Sequence, residues 1–241
     1  MIKRITLTGM LAVFMFCSFA KEYKQAAIDY LKKSKKELNL SDQDIADLVL
    51  VEDAFDADSK INRVWLQQTA NGIPLKNGYI SVLFKDGKVV NSTNSGVFDL
   101  KKQQKSVTPT LSVTDAINKS ASLLGISNIG SIVKNSNTDK KKNAYVFNPI
   151  ANLTNEDVLV CLSFVKDKQD AVHLAWIVQF NSLDRNSKWS FEIDAQSGML
   201  IKKIDYVLHC QFENGANYNT QQHANKCSSL IETPNLPQGA S

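Results

Sequence analysis

The chain has 241 residues, 43% of them apolar and 22% charged, with a formal net charge of +4. That length and composition allow one large domain or two small ones around a real core. The positive excess lies in short lysine clusters (Lys32-Lys33, Lys35-Lys36, Lys101-Lys102 and Lys140-Lys141-Lys142) with no aromatics between them, so it marks solvated faces and loops and not a nucleic-acid interface.

The first twenty residues read as a targeting segment. Lys3 and Arg4 precede a short apolar run from Ile5 to Phe16, and Ser18 and Ala20 place small residues where a signal peptidase reads. The run is too short to span a bilayer. Cleavage is expected after Ala20, leaving an exported chain with no membrane association, in the periplasm or the medium. Cys17 suggests a lipoprotein alternative, but Phe16 is bulky where a lipobox takes a small residue.

Tyr23–Leu38 carries an apolar stripe at Tyr23, Ala26, Ala27, Tyr30, Leu31 and Leu38, which predicts a helix laid on a sheet. Ser41 followed by Asp42 and Asp44 predicts an N-cap and an acidic first turn for a short helix through Leu48. A strand is expected over Leu48–Phe55, a turn over Asp56–Lys60 and a second strand over Ile61–Ala70. Asn71-Gly72 and Pro74 break that strand. Ile80, Val82 and Phe84 alternate with polar positions and form a face in need of a partner. Asp86-Gly87 before Val89-Val90 is a hairpin signal. This order of residues (Gln68-Thr69-x-Asn71-Gly72-Ile73-Pro74-Leu75, a strand, then Asp86-Gly87-Lys88-Val89-Val90) resembles the fungalysin/thermolysin propeptide domain, part of the prosegment of secreted zinc metalloproteases.

Residues 101–111 are polar, hold a proline and read as a linker. Ser112 to Gly125 predicts a second helix, capped by Ser112 and stopped by Gly125. After a charged loop at Asn135–Asn143, five strands are expected: Ala144–Phe147, Val158–Val165, Val172–Phe180, Lys188–Ile193 and Met199–Val207. Turns fall at Asp184–Ser187 and Asp194–Gly198. In the latter, Asp194 is suited to hold the turn's backbone and Gly198 to supply a positive φ. Leu174-Ala175-Trp176 followed by Ile193-Asp194-Ala195-x-Ser197-Gly198 is similar to the PepSY-type second half of fungalysin prosegments. The two motifs together cover residues 61–212.

A helix before a meander, twice, gives an α+β fold of two related subdomains, each a helix on a curved antiparallel sheet, cystatin-like or PepSY-like. The expected organisation is a signal peptide at 1–20, a propeptide-type subdomain at 21–100, a linker at 101–111, a PepSY-like subdomain at 112–209, and a polar tail at 210–241. That tail would lead toward a catalytic domain absent from this chain. The resemblance implies an intramolecular chaperone and inhibitor of a zinc metallopeptidase domain, met in cis or in trans. The alternative is a stand-alone exported binding module or protease inhibitor. Gln68, Asn71, Gly72, Pro74 and Gly87 match the first motif; Trp176, Asp194, Ala195 and Gly198 match the second. They read as fold-defining positions that also border an interface.

The catalytic inventory is thin. The family's enzymes need His-Glu-x-x-His to hold zinc and supply a base. His173, His209 and His223 are the only histidines, and none precedes Glu. The chain is therefore expected to be non-catalytic, with zinc belonging to the family's separate enzyme domain. Cys210 and Cys227 are expected to form a disulfide in an exported chain, closing a loop worth about 3 kcal/mol; a zinc site made with His209 and His223 is the competing reading. Cys161, inside an apolar run, reads as a buried free thiol, and a Cys161–His173 nucleophile and base pair lacks a third partner. Glu192 and Asp194 share a strand face and read as a solvated strand end, while Trp176 and Trp189 read as core or sheet-face aromatics.

Overall fold

The computed structural model describes residues 23–104, 106–135 and 144–207. Helix α1 covers residues 23–33. It buries Ala27 and Leu31 against Val64, Leu66, Ile80, Val82 and Phe84. Tyr23 meets Phe84 edge-on at 5.2 Å, and the Tyr30 hydroxyl lies 3.0 Å from Ser92 Oγ. The helix is shorter than its stripe suggested. The chain turns after residue 33, Asn39 takes a positive φ of 52°, and Leu40 is thereby brought into the core.

Ser41 caps α2 (Asp42–Ala46) through a reciprocal capping box with Asp44. That helix is also shorter than expected, because the strand that follows begins by Val49. Strands β1 (Val49–Asp56), β2 (Ile61–Ala70), β3 (Ile73–Lys85) and β4 (Lys88–Asn94) then run as an antiparallel meander. Asn71-Gly72 and Asp86-Gly87 form two-residue hairpin turns with both φ values positive; that mirror-image turn matches the twist of the strands it joins. Pro74 does not end a strand as expected. It lies inside β3 opposite Thr69, next to a bulge at Gln68, where a residue without an N–H is tolerated.

A short helix α3 (Leu100–Gln103) leads to α4 (Val113–Ser122). The N-cap of α4 is Ser112, which accepts the Asp115 N–H. Its stop is Gly125 at φ +78°, with the Ile126 N–H returning to the Ala121 carbonyl at 3.0 Å. Strands β5 (Ala144–Phe147), β6 (Val158–Lys166), β7 (Val172–Asn181), β8 (Lys188–Asp194) and β9 (Leu200–Asp205) make the second meander. Among the described residues, nine strands join in one sheet of order β1-β2-β3-β6-β7-β8-β9, with β4 on β3 and β5 on β6. Every pairing is antiparallel except the short parallel contact between Leu75 and Phe164 that unites the two meanders.

The fold is thus α+β with a mostly antiparallel sheet. One core lies beneath α1. The larger core surrounds α4 and contains Phe164, Trp176, Phe180 and Phe191, but it also takes Ala70, Leu75 and Leu100 from the first half of the chain. No described helix is long and apolar enough to cross a membrane.

Candidate functional site

The first motif is held from inside by a polar knot. Gln68, at the bulge in β2, falls in step with the inward Val64 and Leu66 and is fully buried. Its amide donates to Asp44 Oδ1 at 2.8 Å and to the Val97 carbonyl at 2.6 Å, and its oxygen accepts the Val97 N–H at 2.9 Å. Asp44 Oδ1 also takes the Leu100 N–H at 3.1 Å, and Oδ2 takes the Asp99 N–H at 2.8 Å. Ser41 adds its N–H and its hydroxyl to Oδ2. Burial alone would push the Asp44 carboxyl up, but the Ser41 and α3 donors outweigh it and hold it below the usual carboxylate range. Gly96 is part of the same fit, since a Cβ there would lie 2.3 Å from the Gln68 amide oxygen.

From this knot the β2–β3 hairpin projects toward the second meander. Asn71 and Gly72 form its tip, and Pro74, Leu75 and Lys76 make the seam. The Pro74 carbonyl accepts the Ser163 hydroxyl at 2.8 Å, and the Leu75 carbonyl accepts Gln67 Nε2 at 2.8 Å. Lys76 Nζ meets Glu192 Oε1 at 2.5 Å. Glu192 is only 4% exposed, so the reading of Glu192 as part of a solvated strand end is corrected: it is a buried anion whose partner comes from 116 residues earlier. Gly87 sits apart, at the β3–β4 turn.

The second motif converges on Leu111. The Trp176 indole N–H donates to the Leu111 carbonyl at 2.8 Å. The Ala195 carbonyl accepts the N–H groups of Thr110 and Leu111, each at 2.9 Å. Gly198, at φ +72°, holds its turn against the Leu111 side chain. Asp194 Oδ1 accepts the Gln196 and Ser197 N–H groups and the Ser197 hydroxyl. Trp176 is core, as its pattern suggested, and Trp189 packs at its margin.

Other chemistry is not assembled. Cys161 is free and partly buried; burial pushes its thiol up, against a smaller opposite pull from Lys76. It pairs with Ile177 on β7, whereas His173 pairs with Val165 on β6. Four strand positions, roughly 13 Å, therefore separate the two side chains. Among the described residues no group of three or more His, Cys, Asp or Glu side chains is placed to hold a metal ion. Ala20, His209, Cys210, His223 and Cys227 lie outside the described residues.

The face of the first meander opposite α1 is open. It carries Trp65 and Tyr79, stacked at 5.9 Å, with the Arg63 guanidinium 4.8 Å from the Trp65 ring. Arg63 also meets Glu52 at 3.0 Å. Val49 stands on the same face opposite Gln67, and it is 52% exposed. Strand alternation places these residues outward wherever Val64, Leu66 and Ile80 point inward.

A family model described as the Fungalysin/Thermolysin Propeptide Motif matches residues 46–95, a span that runs from the end of α2 to just past β4. The extracellular metalloproteinase mep of Aspergillus fumigatus is 28% identical over 172 residues, or 68% of this chain. The extracellular metalloproteinase MEP of Neosartorya fischeri matches to the same extent. The chain spans 26% of the length of these relatives. The Bacillus megaterium YpeB C-terminal domain superposes with a TM-score of 0.34 at 17% identity, over 75% of this chain and 65% of that one, a likeness too loose to argue from. The chain thus carries a match to that propeptide motif in its first meander and is similar to extracellular metalloproteinases over 68% of its own length.

Proposed function

We propose that this chain acts as the prosegment of a secreted fungalysin-like metalloprotease, assisting the folding of the enzyme domain and holding it inactive. The observation that carries the reading is the propeptide motif at residues 46–95, together with relatives that are extracellular metalloproteinases about four times the matched length. Two related subdomains of the PepSY kind fit this role: α1 with β1–β4, and α4 with β5–β9, joined by residues 101–111. In this reading residues 1–20 direct export, cleavage follows Ala20, and a Cys210–Cys227 disulfide closes part of the polar tail. The chain itself contributes no cofactor and no catalytic group; zinc belongs to the enzyme domain. The open sheet face with Trp65, Tyr79, Arg63 and Val49 is the surface offered to that domain. Stacked aromatics with an arginine are the residue types that dominate protein interfaces, and an open face of an antiparallel sheet presents them on a rigid support.

Tight-binding inhibition tests this. Residues 21–241 are titrated against the catalytic domain of a fungalysin-type protease, with its refolding yield measured in parallel. Stoichiometric loss of activity supports the prosegment role. A folded chain that neither slows the enzyme nor assists its refolding overturns it and favours a stand-alone exported binding module acting in trans.

A further inference from the structure

The sheet ends in two open edges of opposite charge. β1 and β9 close the order β1-β2-β3-β6-β7-β8-β9 at its two ends, and no described strand pairs with the outer side of either. Such an edge presents backbone N–H and C=O groups on which another strand can be laid. Neither strand holds a proline. The middle of β1 carries Glu52 and Asp53, and β1 has no basic residue. The middle of β9 carries Lys202 and Lys203. Exposed apolar side chains flank both pairs: Val51 and Phe55 on one edge, Met199 and Leu200 on the other.

Charge on an edge strand guards it against its own kind. Two β1 edges laid centre to centre set carboxylates against carboxylates, and two β9 edges set ammoniums against ammoniums. Between a β1 and a β9 the same charges attract. Each pair is made of adjacent residues, so parallel and antiparallel alignment alike bring Glu52 and Asp53 opposite Lys202 and Lys203 as cross-strand pairs. Asp53 has a further reason to accept such a partner: its Oδ2 is buried and meets none of the described donors. Glu52 and Lys203 have neighbours in their own chain, Arg63 at 3.0 Å and the Trp189 ring at 4.4 Å, yet both stay exposed, so their charge is felt by a second chain. We propose that this chain self-associates head to tail, β1 of one copy pairing with β9 of the next so that the two sheets run on as one. The contact is heterologous, and every added copy leaves one β1 and one β9 open. The products are a series of dimers, trimers and longer chains, not a closed two-fold dimer. One short ladder with its flanking side chains falls below the size of a stable dimer interface, so the association is weak and concentration-dependent.

This contact depends on the sheet order and not on the prosegment reading. Sedimentation velocity of residues 21–241, which keep every described residue, tests it from micromolar to millimolar concentration. The mean mass is expected to climb through successive oligomers, and less steeply at high salt. Reversing one edge, by Glu52→Lys with Asp53→Lys or by Lys202→Glu with Lys203→Glu, should lower the association constant at least about tenfold. Mixing the two reversed variants should restore association, because each edge of one is then opposite in charge to the far edge of the other; restoration also shows that both are folded. Should circular dichroism show either variant unfolded, the milder Glu52→Gln with Lys203→Gln takes its place and should weaken association about threefold or more. A chain that stays monomeric at millimolar concentration, a dimer that grows no further, folded variants that associate like wild type, or folded reversed variants whose mixture stays monomeric would each overturn the proposal.

Discussion

Two aspartates in the first half show how strongly placement decides what one residue type does. Asp44 is a buried carboxylate met by donors from Ser41, Gln68, Asp99 and Leu100. Asp44→Asn is expected to cost about 2–3 kcal/mol at pH 7, since an amide cannot accept from all of them. Because the folded carboxyl is held below its ordinary value, its stabilisation is present above the unfolded value of about 3.9. It is lost as pH falls through the folded one. Urea midpoints of wild type and variant should therefore converge in acid. Asp53 is the opposite case. It lies on β1 opposite Val64, none of the described donors reaches its Oδ2, and burial raises its carboxyl. Its ionised form opposes folding above its unfolded value, and this is relieved as pH falls. Asp53→Asn is expected to stabilise the chain at pH 7, by a few tenths to about 1 kcal/mol, with the gain fading in acid. Neither role was legible in the sequence. Asp44 was read for its local capping signal, which is correct but covers only the Ser41 contacts; the others come from residues 24 to 56 positions away.

At the scale of elements, the hairpin turns were legible because Asn-Gly and Asp-Gly supply positive φ locally. The cap and stop of α4 were legible for the same reason. Helices α1 and α2 ran shorter than expected because periodicity does not register where the chain must turn, after residue 33, or where the next strand must start, at Val49. The seam was not legible. Lys76 and Glu192 look like ordinary surface charges in isolation and become a buried pair only when β3 meets β6. Glu192→Ala should leave the Lys76 ammonium largely desolvated and cost about 2–4 kcal/mol, whereas Lys76→Met with Glu192→Leu should recover most of that loss. A double-mutant cycle by urea unfolding measures the coupling.

For the molecule as a whole, the motif at residues 46–95 was visible, as were the turns and aromatics of the second meander, because turn residues and strand aromatics have fixed local roles. How they are tied together was not visible, since Leu111 and Val97 carry the ties through backbone groups that any residue possesses. The open face gives a prediction at this scale. Trp65→Ala and Tyr79→Ala remove exposed rings and should change stability by less than about 1 kcal/mol. Each is nonetheless expected to weaken inhibition of a fungalysin-type enzyme at least about tenfold, the loss of a central interface aromatic. Inhibition constants set against melting temperatures separate the two effects.

The larger core borrows Leu75 and Leu100 from the first half of the chain, and the contact that delivers Leu75 pairs it with Phe164. During synthesis from the N-terminus, β1–β4 can close their own hairpins while the ribosome is still extending the chain. Leu75 and Leu100 have nothing to bury against until β6 and β7 have emerged. The growing chain therefore carries a sticky, half-finished edge for the time needed to add close to a hundred residues, several seconds or more at about 5–20 residues per second. Sequence changes that slow the second meander should show first as aggregation of the nascent chain, before any loss of stability in the finished one.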